Sequence, residues 1–382
     1  DRFVARYGDR IVVDLPASFV AEGCPEADHA LAQTLPAPEP YATFETPSSA
    51  GDVLQTLLGL PSIASHEELY TRYDWTVGNR TVRGPDEAEA AVQKLPDSSR
   101  GYALTITGRG DVCGANPYLG SKAALGAATR NLACVGAEIL AITDGLNMGS
   151  PTDPVENLRL SQTIEGLADG LNELAIPVTG GNVSLYNESP RGAIPPTPMV
   201  GAVGSITDVM QVPSSRLSKG DVIFLLGSLK DTPAYSAFGN TLGETGCPHP
   251  SVDLRADKAL AQTLVEAVRA GLVQAAKDAH AGGLAVALAK LAIRGGVGAD
   301  LTVNFDGRKD WALFGEYSGV AWVATRPEHA DEFEALVRSR GVDLQRAGVA
   351  NRATLSVKDF FEVHLSDLER AYLGSSPREG RS

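Results

Sequence analysis

The sequence predicts a mixed α/β and α+β fold made of two successive units. Strand-like apolar runs alternate with helical stripes between residues 90 and 206, and a second series of strands and helices starts near Lys219. The 382 residues are 43% apolar but only 6% aromatic, a composition typical of globular proteins rich in alanine and glycine. A chain of this length exceeds one ordinary hydrophobic core, so we expect two or three domains.

In the first unit we predict five strands, at 90–95, 102–107, 139–143, 176–179 and 199–206. Its clearest helix begins after Asp153-Pro154, a capping residue followed by proline at the first helical position. The apolar residues of this helix step by four, three, four and three, which makes one stripe: Leu160, Ile164, Leu167, Leu171 and Leu174. A second helix is predicted near 119–136, and the helices should cover one side of the sheet.

The second unit is predicted to contain strands at 221–227, 300–304 and 320–325, with helices at 256–270 and 327–340. A third helix starts at the segment 278–283 (DAHAGG). Free backbone amides at that helix start could receive a phosphate. His280 could act there as a general base, or it could simply cap or pack the helix, and both interpretations stay open.

Outside these two units the sequence predicts segments that connect or flank them. Residues 10–15 resemble a strand, 34–52 are rich in Pro and Ser, and short helices are predicted at 53–60 and 66–73. The chain starts at Asp1 and not at Met, which suggests a cut into a longer polypeptide. The predicted divisions are an upstream tail with its linker (1–50), bridging helices (51–88), the two units (89–210 and 211–373) and a disordered tail (374–382).

The charge balance excludes some classes of partner. The chain has 33 Lys and Arg against 47 Asp and Glu, a formal charge of −14 with a pI near 4.9. Loose binding to nucleic acid or to an anionic membrane depends on clustered basic residues, so we expect neither. The sequence contains no run of eighteen apolar residues, so it predicts no membrane span.

The cysteines are isolated from one another in the sequence. Their positions are Cys24, Cys113, Cys134 and Cys247, and no two of them form a Cys-x-x-Cys pair. This spacing favours buried thiols in a reducing cytoplasm over a disulfide framework or a zinc site.

The stretch 176–188 carries the strongest chemical pattern. Ile176-Pro177-Val178 predicts a strand that runs into Gly180-Gly181, and glycines let a ligand approach the main chain. Four polar side chains follow within seven residues: Asn182, Ser184, Asn187 and Glu188. The pattern is typical of a strand end that binds an anion or a metal, and a plain Gly-Gly turn is the alternative.

A second strand end is predicted to join it. The strand at 139–143 ends in Asp144, 37 residues before Gly181, which is one strand–helix–strand unit. Parallel strands joined in that way would place Asp144 and Asn182 at the same sheet edge. A carboxylate, an amide oxygen and a glycine turn could hold Mg²⁺ and a nucleotide, although a strand-end Asp more often caps a turn.

Several segments together match the motifs of one known family. The best match is residues 181–188 (GNVSLYNE), followed by 194–198 (IPPTP). Further matches in the same order are 116–120 (NPYLG), 130–134 (RNLAC), 141–147 (AITDGLN), 282–288 (GGLAVAL) and 313–316 (LFGE). With these motifs the chain resembles the phosphoribosylformylglycinamidine synthase family, the PurL proteins. The resemblance covers about residues 1–372 and corresponds to the C-terminal half of the small PurL subunit. That family belongs to the aminoimidazole ribonucleotide synthetase superfamily.

The resemblance implies a fold and a reaction. The fold would be a PurM-like dimerising N-terminal domain, whose strands contribute to a barrel with helices on one side, then a PurM-like C-terminal α+β domain. The family uses ATP and Mg²⁺ to phosphorylate the amide oxygen of formylglycinamide ribonucleotide, and ammonia then displaces the phosphate to give an amidine. The partners implied are the N-terminal half of PurL, the glutaminase subunit PurQ and the small subunit PurS.

The resemblance also implies site residues. Asp144 and Gly181 would contact the nucleotide (ATP or ADP), and Ser184 would contact the substrate. Asn182, Asn131 and Glu89 would be metal ligands. No catalytic residue is assigned, because the family's acid–base histidine lies in the other half of PurL.

The chain departs from the family pattern at several positions. Ala127 replaces the Glu of a Glu-x-x-x-Asn pair that ends at Asn131, Asn116 stands where Asp is usual, and Glu89 stands at a metal-binding Asp. Tyr317 follows Phe-Gly-Glu where relatives often have Ser-Gln. The loss of carboxylates removes charge that would hold a cation beside a triphosphate.

Two functions therefore remain open. The chain is either part of an ATP-dependent carbon–nitrogen ligase, or a structural half that completes the barrel and docks the other subunits with a degenerate nucleotide site. A third alternative is a kinase-like relative such as selenophosphate synthetase or thiamine-phosphate kinase, and the string 182–188 argues against it.

Overall fold

The computed structural model describes residues 1–23, 29–36, 47, 49–233, 235–241 and 251–374. The N-terminal part contains a hairpin and three short helices: β1 (Arg2–Tyr7), β2 (Arg10–Pro16), α1 (Ala17–Glu22), α2 (Ala50–Leu58) and α3 (Glu67–Tyr70). The two strands of the hairpin pair only with each other. Parts of the predicted linker and nearly all of the predicted tail lie outside the described residues.

The first unit is a mixed sheet with three helices. Its elements are β3 (Thr81–Arg83), β4 (Ala91–Lys94), β5 (Gly101–Thr107), α4 (Gly110–Ala115), α5 (Pro117–Cys134), β6 (Glu138–Asn147), α6 (Pro154–Leu174), β7 (Val178–Ser184), β8 (Glu188–Ser189), β9 (Gly192–Ala193) and β10 (Thr197–Ile206). The sheet order is β3-β4-β5-β10-β6-β7, and β8 pairs with β9 in a separate ribbon. Among the described pairs of this sheet, only β6 and β7 run parallel.

Local capping explains where the long helices of this unit begin. Asp153 accepts hydrogen bonds from the backbone N–H groups of Val155 and Glu156 at the start of α6. Asn116 accepts one from Leu119 at the start of α5, and each helix has proline at its first position. These caps satisfy amide groups that a helix start otherwise leaves unpaired.

The helices cover one face of the first sheet and leave the other face open. Leu125, Leu132 and Leu167 of α5 and α6 form a core with Ile142 and Val200 of the sheet. The opposite face exposes a set of apolar side chains: Leu104, Ile106, Leu140 and Met199. The predicted one-sided arrangement is therefore observed, and the open face carries exposed apolar side chains of the kind found at protein–protein contact surfaces.

The second unit is a seven-stranded sheet with helices on both faces. Its elements are β11 (Val222–Leu226), α7 (Ala237–Thr241), α8 (Leu254–Arg269), β12 (Ala275–Asp278), α9 (Gly283–Gly295), β13 (Gly298–Leu301), α10 (Lys309–Phe314), β14 (Ala321–Thr325), α11 (Ala330–Ser339), β15 (Leu344–Arg352), β16 (Thr354–Val357), β17 (Phe361–His364) and α12 (Leu365–Leu373). The sheet order is β12-β14-β11-β15-β13-β16-β17.

The central strand β11 shows why both faces are covered. Ile223 and Leu225 point into a core shared with α2, α9 and α12. Val222, Phe224 and Leu226 point into a second core with α8 and α11. Side chains alternate across a strand, so a continuous apolar run must be buried on both sides. The bridging helix α2 thus packs on the second unit.

Two further sequence predictions can be compared with the structure. Cys113 and Cys134 are buried free thiols, as expected, whereas Cys24 and Cys247 lie outside the described residues. Within the described ranges, no helix has both the length and the apolar character needed to cross a membrane.

Candidate functional site

Strands β6 and β7 bring the predicted nucleotide residues to one edge of the first sheet. Asp144 is the register partner of Gly181, and Gly145 is the partner of Asn182. Strand β7 is the outermost strand of this sheet, so the pair lies beside solvent. The parallel pairing predicted from the strand–helix–strand spacing is thereby confirmed. The prediction that these residues end their strands is wrong, because β6 continues to Asn147 and β7 runs through Gly180-Gly181 to Ser184 without a turn.

The carboxyl group of Asp144 lies directly against the backbone of Gly181. A Cβ atom at position 181 would come within 2.6 Å of Oδ2 of Asp144 and 2.8 Å of its Cγ. Any side chain there would displace the carboxyl group, so the second glycine of the pair makes room for it. At the neighbouring Gly180 a Cβ atom would meet open space.

No charged neighbour contributes to the pKa of Asp144. Partial burial raises the pKa of this carboxyl above its usual value, and only its own backbone N–H opposes the shift. The described ion pairs of the chain do not include Asp144. A partly desolvated carboxylate without a counter-charge is suited to accept a cation or a ligand donor.

Asn182 lies at the same edge but on the other face of the sheet. Paired residues of parallel strands share a face, and successive residues alternate between faces. Asp144 and Gly181 therefore lie on one face, while Asn182 and its partner Gly145 lie on the other. A ligand that contacts both side chains would have to pass around the free edge of β7.

The polar residues after β7 hold the local loops together. Asn187 donates hydrogen bonds from Nδ2 to the carbonyl oxygens of Met148 and Ser184, and Glu188 accepts one from the backbone N–H of Ser150. The Ser184 hydroxyl lies 3.1 Å from Nδ2 of Asn187. Asn187 and Glu188 thus fix the loop, and Ser184 contacts it at the position predicted to meet substrate.

The predicted metal ligand Asn131 lies on the helix side of the sheet. Its Nδ2 donates to the hydroxyl of Thr105 in β5 at 3.2 Å. Its Oδ1 is buried and has no hydrogen-bond partner in the structure. A buried amide oxygen without a partner is a group that a hard cation such as Mg²⁺ could satisfy.

Glu89 is not free to act as a metal ligand. Its carboxylate forms an ion pair with Lys277 of β12 and accepts a hydrogen bond from Ser215. The ion pair neutralises the charge that a metal ligand would supply. Across the described residues, no group of three His, Cys, Asp or Glu side chains is arranged to hold a metal ion. Asp144 and Asn131 each have a side-chain oxygen that is available to bind Mg²⁺. The carboxylate of Glu89 is occupied by its ion pair with Lys277.

A second cluster of charged groups, which the sequence analysis did not predict, lies between the two units. Arg130 of α5 donates from Nη1 to Asp257 at 2.5 Å and from Nε to Asp278 at 2.6 Å. All three side chains are almost completely buried. A Cβ atom at Gly126, one turn before Arg130, would overlap the Asp257 carboxyl, so glycine again makes room for a carboxylate.

Glu316 forms the second half of this cluster. Its carboxylate pairs with Arg109 and accepts the backbone N–H groups of Ala237 and Gly282 at 2.9 and 2.8 Å. The N–H of Gly283 is donated to the carbonyl oxygen of His280. The expectation that the helix start at 278–283 offers free amides to a phosphate is therefore wrong at these two glycines.

Burial controls the protonation of the groups in this cleft. Burial, reinforced by the nearby positive charges of Arg109 and Arg130, lowers the pKa of His280 to about 3, so its ring stays neutral. Burial raises the pKa of Asp278 to about 7 against the opposing effect of Arg130. The cavity that remains here is about 50 Å³, whereas ligand sites usually measure roughly 300 Å³ or more.

Comparison with known proteins identifies the two units. The family model for the N-terminal domain of AIR synthase related proteins matches residues 87–206, and the model for the C-terminal domain of the same proteins matches residues 218–358. The chain belongs to the AIR synthase related family. Over 387 aligned residues it is 36% identical to the phosphoribosylformylglycinamidine synthase subunit PurL of Moorella thermoacetica. The alignment includes 96% of this chain but only 51% of that relative.

Solved structures of Thermotoga maritima PurL share the fold. A PurL complexed with FGAR aligns with a TM-score of 0.67 and 22% identity over 85% of this chain and 54% of that chain. A PurL complexed with ATP gives 0.60 and 23% over 73% and 46%. The PurLQS structure gives 0.65 and 23% over 85% and 52%. The chain thus spans about half the length of the PurL proteins that it matches.

The closed cleft contains one of the positions at which this AIR synthase related chain departs from the PurL pattern. Ala127 lines the small cavity beside Arg130 and His280. At that position the pattern has a carboxylate, which would lie beside the buried groups of the second unit. Asn116, the other departure in α5, acts here as the helix cap.

Proposed function

We propose that this chain is the C-terminal half of an ATP-dependent phosphoribosylformylglycinamidine synthase of de novo purine biosynthesis, a carbon–nitrogen ligase. The alignment with the PurL subunit over nearly the whole chain supports this assignment. The observation that carries it is the Asp144 carboxyl placed over Gly181 of the outermost strand, with no counter-charge beside it.

The reaction would proceed in two steps. The amide oxygen of formylglycinamide ribonucleotide attacks the γ-phosphorus of ATP, so that an O–P bond forms and ADP leaves. Ammonia then forms a C–N bond with the activated carbon and loses a proton. The C–O bond breaks, so that phosphate leaves with the former amide oxygen and the amidine remains. Mg²⁺, when bound, supplies positive charge beside the phosphates.

The residues of this chain would bind and orient the reactants. Asp144 and Gly181 are proposed nucleotide contacts, and Ser184 is the proposed substrate contact. Asn182 and Asn131 are proposed metal ligands, and Glu89 could join them only after its ion pair with Lys277 opens. The acid–base group for the reaction is expected from the other half of PurL.

The partners follow from the open face and from the relatives. The apolar side chains Leu104, Ile106 and Leu140 would pack on the N-terminal half of PurL, completing a barrel. The glutaminase PurQ would deliver ammonia and PurS would bridge the subunits, as the PurLQS assembly of T. maritima suggests. Buried free thiols at Cys113 and Cys134 support a cytoplasmic location.

The domain division proposed from the sequence fits this assignment. The units 89–210 and 211–373 enclose nearly all of the residues that the two family models match. Residues 1–50 would connect to the N-terminal half, 51–88 would bridge the units, and 374–382 would form the tail.

Calorimetry with ADP and Mg²⁺ tests the proposal. The wild-type chain is expected to bind ADP, and Asp144→Asn and Asn182→Ala are each expected to weaken binding by about tenfold. Asp97→Asn, a change at an exposed turn with positive φ, serves as the control. Equal binding by the wild type and both variants would contradict a nucleotide site at Asp144.

One observation favours a second candidate function. The cleft between the units is filled by the ion pairs of Arg130 and Glu316, which leaves no room for a nucleotide there. The chain could thus act as a structural half that completes the barrel and docks PurQ and PurS. Absence of ADP binding by the wild type, together with ligase activity when the N-terminal half is added, would select this function.

A further inference from the structure

A polar pocket lies where the two units meet, and its lining includes neither Asp144 nor the residues of the closed cleft. Its volume is about 290 Å³, near the lower limit of about 300 Å³ for small-molecule sites. It is formed by β3, the connection 210–214, the turn 271–274 and the segment after β14. Its polar side chains are Arg83, Gln211, Ser214, Gln274, Arg326 and His329.

The charge of this pocket is opposite to that of the chain. Three basic residues and no carboxylate line it, although the chain carries a formal charge of −14. Two acids act on the lining arginines: Glu87 acts on Arg83, and Asp221 is affected by Arg326. Neither acid lines the pocket, and each accepts a hydrogen bond from a backbone amide, Glu87 from Gly84 and Asp221 from Ser218. The two arginines therefore give the lining itself a positive charge.

Arg83 is held in a fixed orientation with two donors to spare. Its guanidinium donates to the carbonyl oxygens of Val82, Val212 and Pro213 at 3.0, 2.7 and 3.2 Å. A guanidinium has five N–H groups, so one remains on each terminal nitrogen. Two such neighbouring N–H groups match the geometry of a phosphoryl group or a carboxylate.

The opposite wall is also held by hydrogen bonds. Gln274 accepts from Nε of Arg326 through its side chain and from the N–H of Ser214 through its carbonyl group. The N–H of Ala276 donates in turn to Ser214, so the connection between the units follows the edge of β12. A pocket with fixed walls loses little conformational entropy when it binds a ligand.

We propose that this pocket binds a small phosphorylated metabolite, with Arg83, Arg326 and His329 around the phosphoryl group. Gln211, Ser214 and Gln274 would hydrogen-bond to the hydroxyl groups of its body. The volume suits a sugar phosphate rather than a dinucleotide. Because the lining comes from both units, the ligand would link them, and its site is distinct from the nucleotide site proposed at Asp144.

Calorimetry and thermal unfolding of the full chain test this proposal, with ribose 5-phosphate and inorganic phosphate as probes. We expect saturable 1:1 binding of ribose 5-phosphate and at least about a tenfold loss of affinity in Arg326→Gln and in Arg83→Gln. Arg326 is exposed, so its variant should fold even if Arg83→Gln is destabilised. Arg370→Gln, an exposed arginine of α12, is the matched control and should bind normally.

Three results would overturn the proposal. The first is the absence of saturable binding to the wild type up to about 10 mM probe, a weak limit for any specific site. The second is a loss of specificity at the pocket. Either Arg326→Gln binds ribose 5-phosphate as tightly as the wild type does, or the wild type binds citrate, an anion without a phosphoryl group, as tightly as ribose 5-phosphate. The third is loss of binding in Asp144→Asn together with competition by ADP, which would place the probe in the nucleotide site. Normal ribose 5-phosphate binding by Asp144→Asn separates the two proposals.

Discussion

The rim site at Asp144 and the cleft at Arg130 use the same local device and reach opposite results. In each, a glycine makes room for a carboxyl group, Gly181 for Asp144 and Gly126 for Asp257. At the rim no cation pairs with the carboxyl group, and it stays partly exposed. In the cleft Arg130 pairs with both Asp257 and Asp278 and fills the space. Where a basic side chain of the protein pairs with the carboxyl group, the space is filled. Where no such side chain is present, the carboxyl group stays accessible to a ligand.

The largest effect is expected from Arg130→Met. The change leaves Asp257 and Asp278 buried without their partner, so the free energy of unfolding should fall by about 3–5 kcal/mol. Urea denaturation would measure it, with Arg370→Gln as a control that should change little. A loss below about 1 kcal/mol would show that the cleft does not depend on its internal cation.

A smaller loss is expected from Gly126→Ala. The added methyl group overlaps the Asp257 carboxyl, and the strain should outweigh the better helix propensity of alanine by about 1–3 kcal/mol. Gly114→Ala in α4 is the matched control, because its Cβ would meet only Pro195 at 3.7 Å. Equal unfolding midpoints for both variants would contradict the close fit between α5 and α8.

The pH dependence of stability should report Asp278. Its folded pKa of about 7 exceeds the ordinary value of 3.8, so the folded state keeps a proton that the unfolded state releases. Stability should therefore fall as the pH rises from about 4 to 7. Asp278→Asn cannot titrate, so the curves of variant and wild type should diverge over that range. Parallel curves would show that Arg130 keeps Asp278 ionised.

The smallest change in stability, with a clear change in binding, is expected from Gly181→Ala. The methyl group would push the Asp144 carboxyl away at an exposed edge, so ADP affinity should fall by about tenfold while the unfolding free energy changes by less than about 1 kcal/mol. Gly180→Ala meets open space and should bind ADP normally. If both variants bind equally, the position of the carboxyl does not matter to the ligand.

The sequence predicted those parts of the molecule that depend on local pattern. The cap of α6, five strands of the first unit and the parallel β6–β7 pairing were predicted from short-range spacing. The apolar stripe of α6 was predicted only in part, because Ile164 is 49% exposed, and strand β3 was missed. Strand β12 was not, because Lys277 and Asp278 make it polar and its burial comes from distant segments. The strands β15 to β17 were also missed.

The cleft could not be predicted for a similar reason. Arg130 lies 127 residues from Asp257 and 148 from Asp278, and no pattern within either segment links them. The same holds for Glu89, which was interpreted as a metal ligand from the resemblance but is paired with Lys277, 188 residues away. Side-chain partners set by tertiary packing decide the charge at a site, and local spacing does not encode them.

The position of β7 at the rim of its sheet has a consequence for the behaviour of the protein in solution. A rim strand presents unpaired amide and carbonyl groups that can recruit a strand from another molecule and start aggregation. Gly180, Gly181 and Asn182 have poor β-propensity, so the same short segment that accommodates the carboxyl group is a weak template for such growth. Residues that make room for a carboxyl group can in this way also protect the chain from pairing with its own copies.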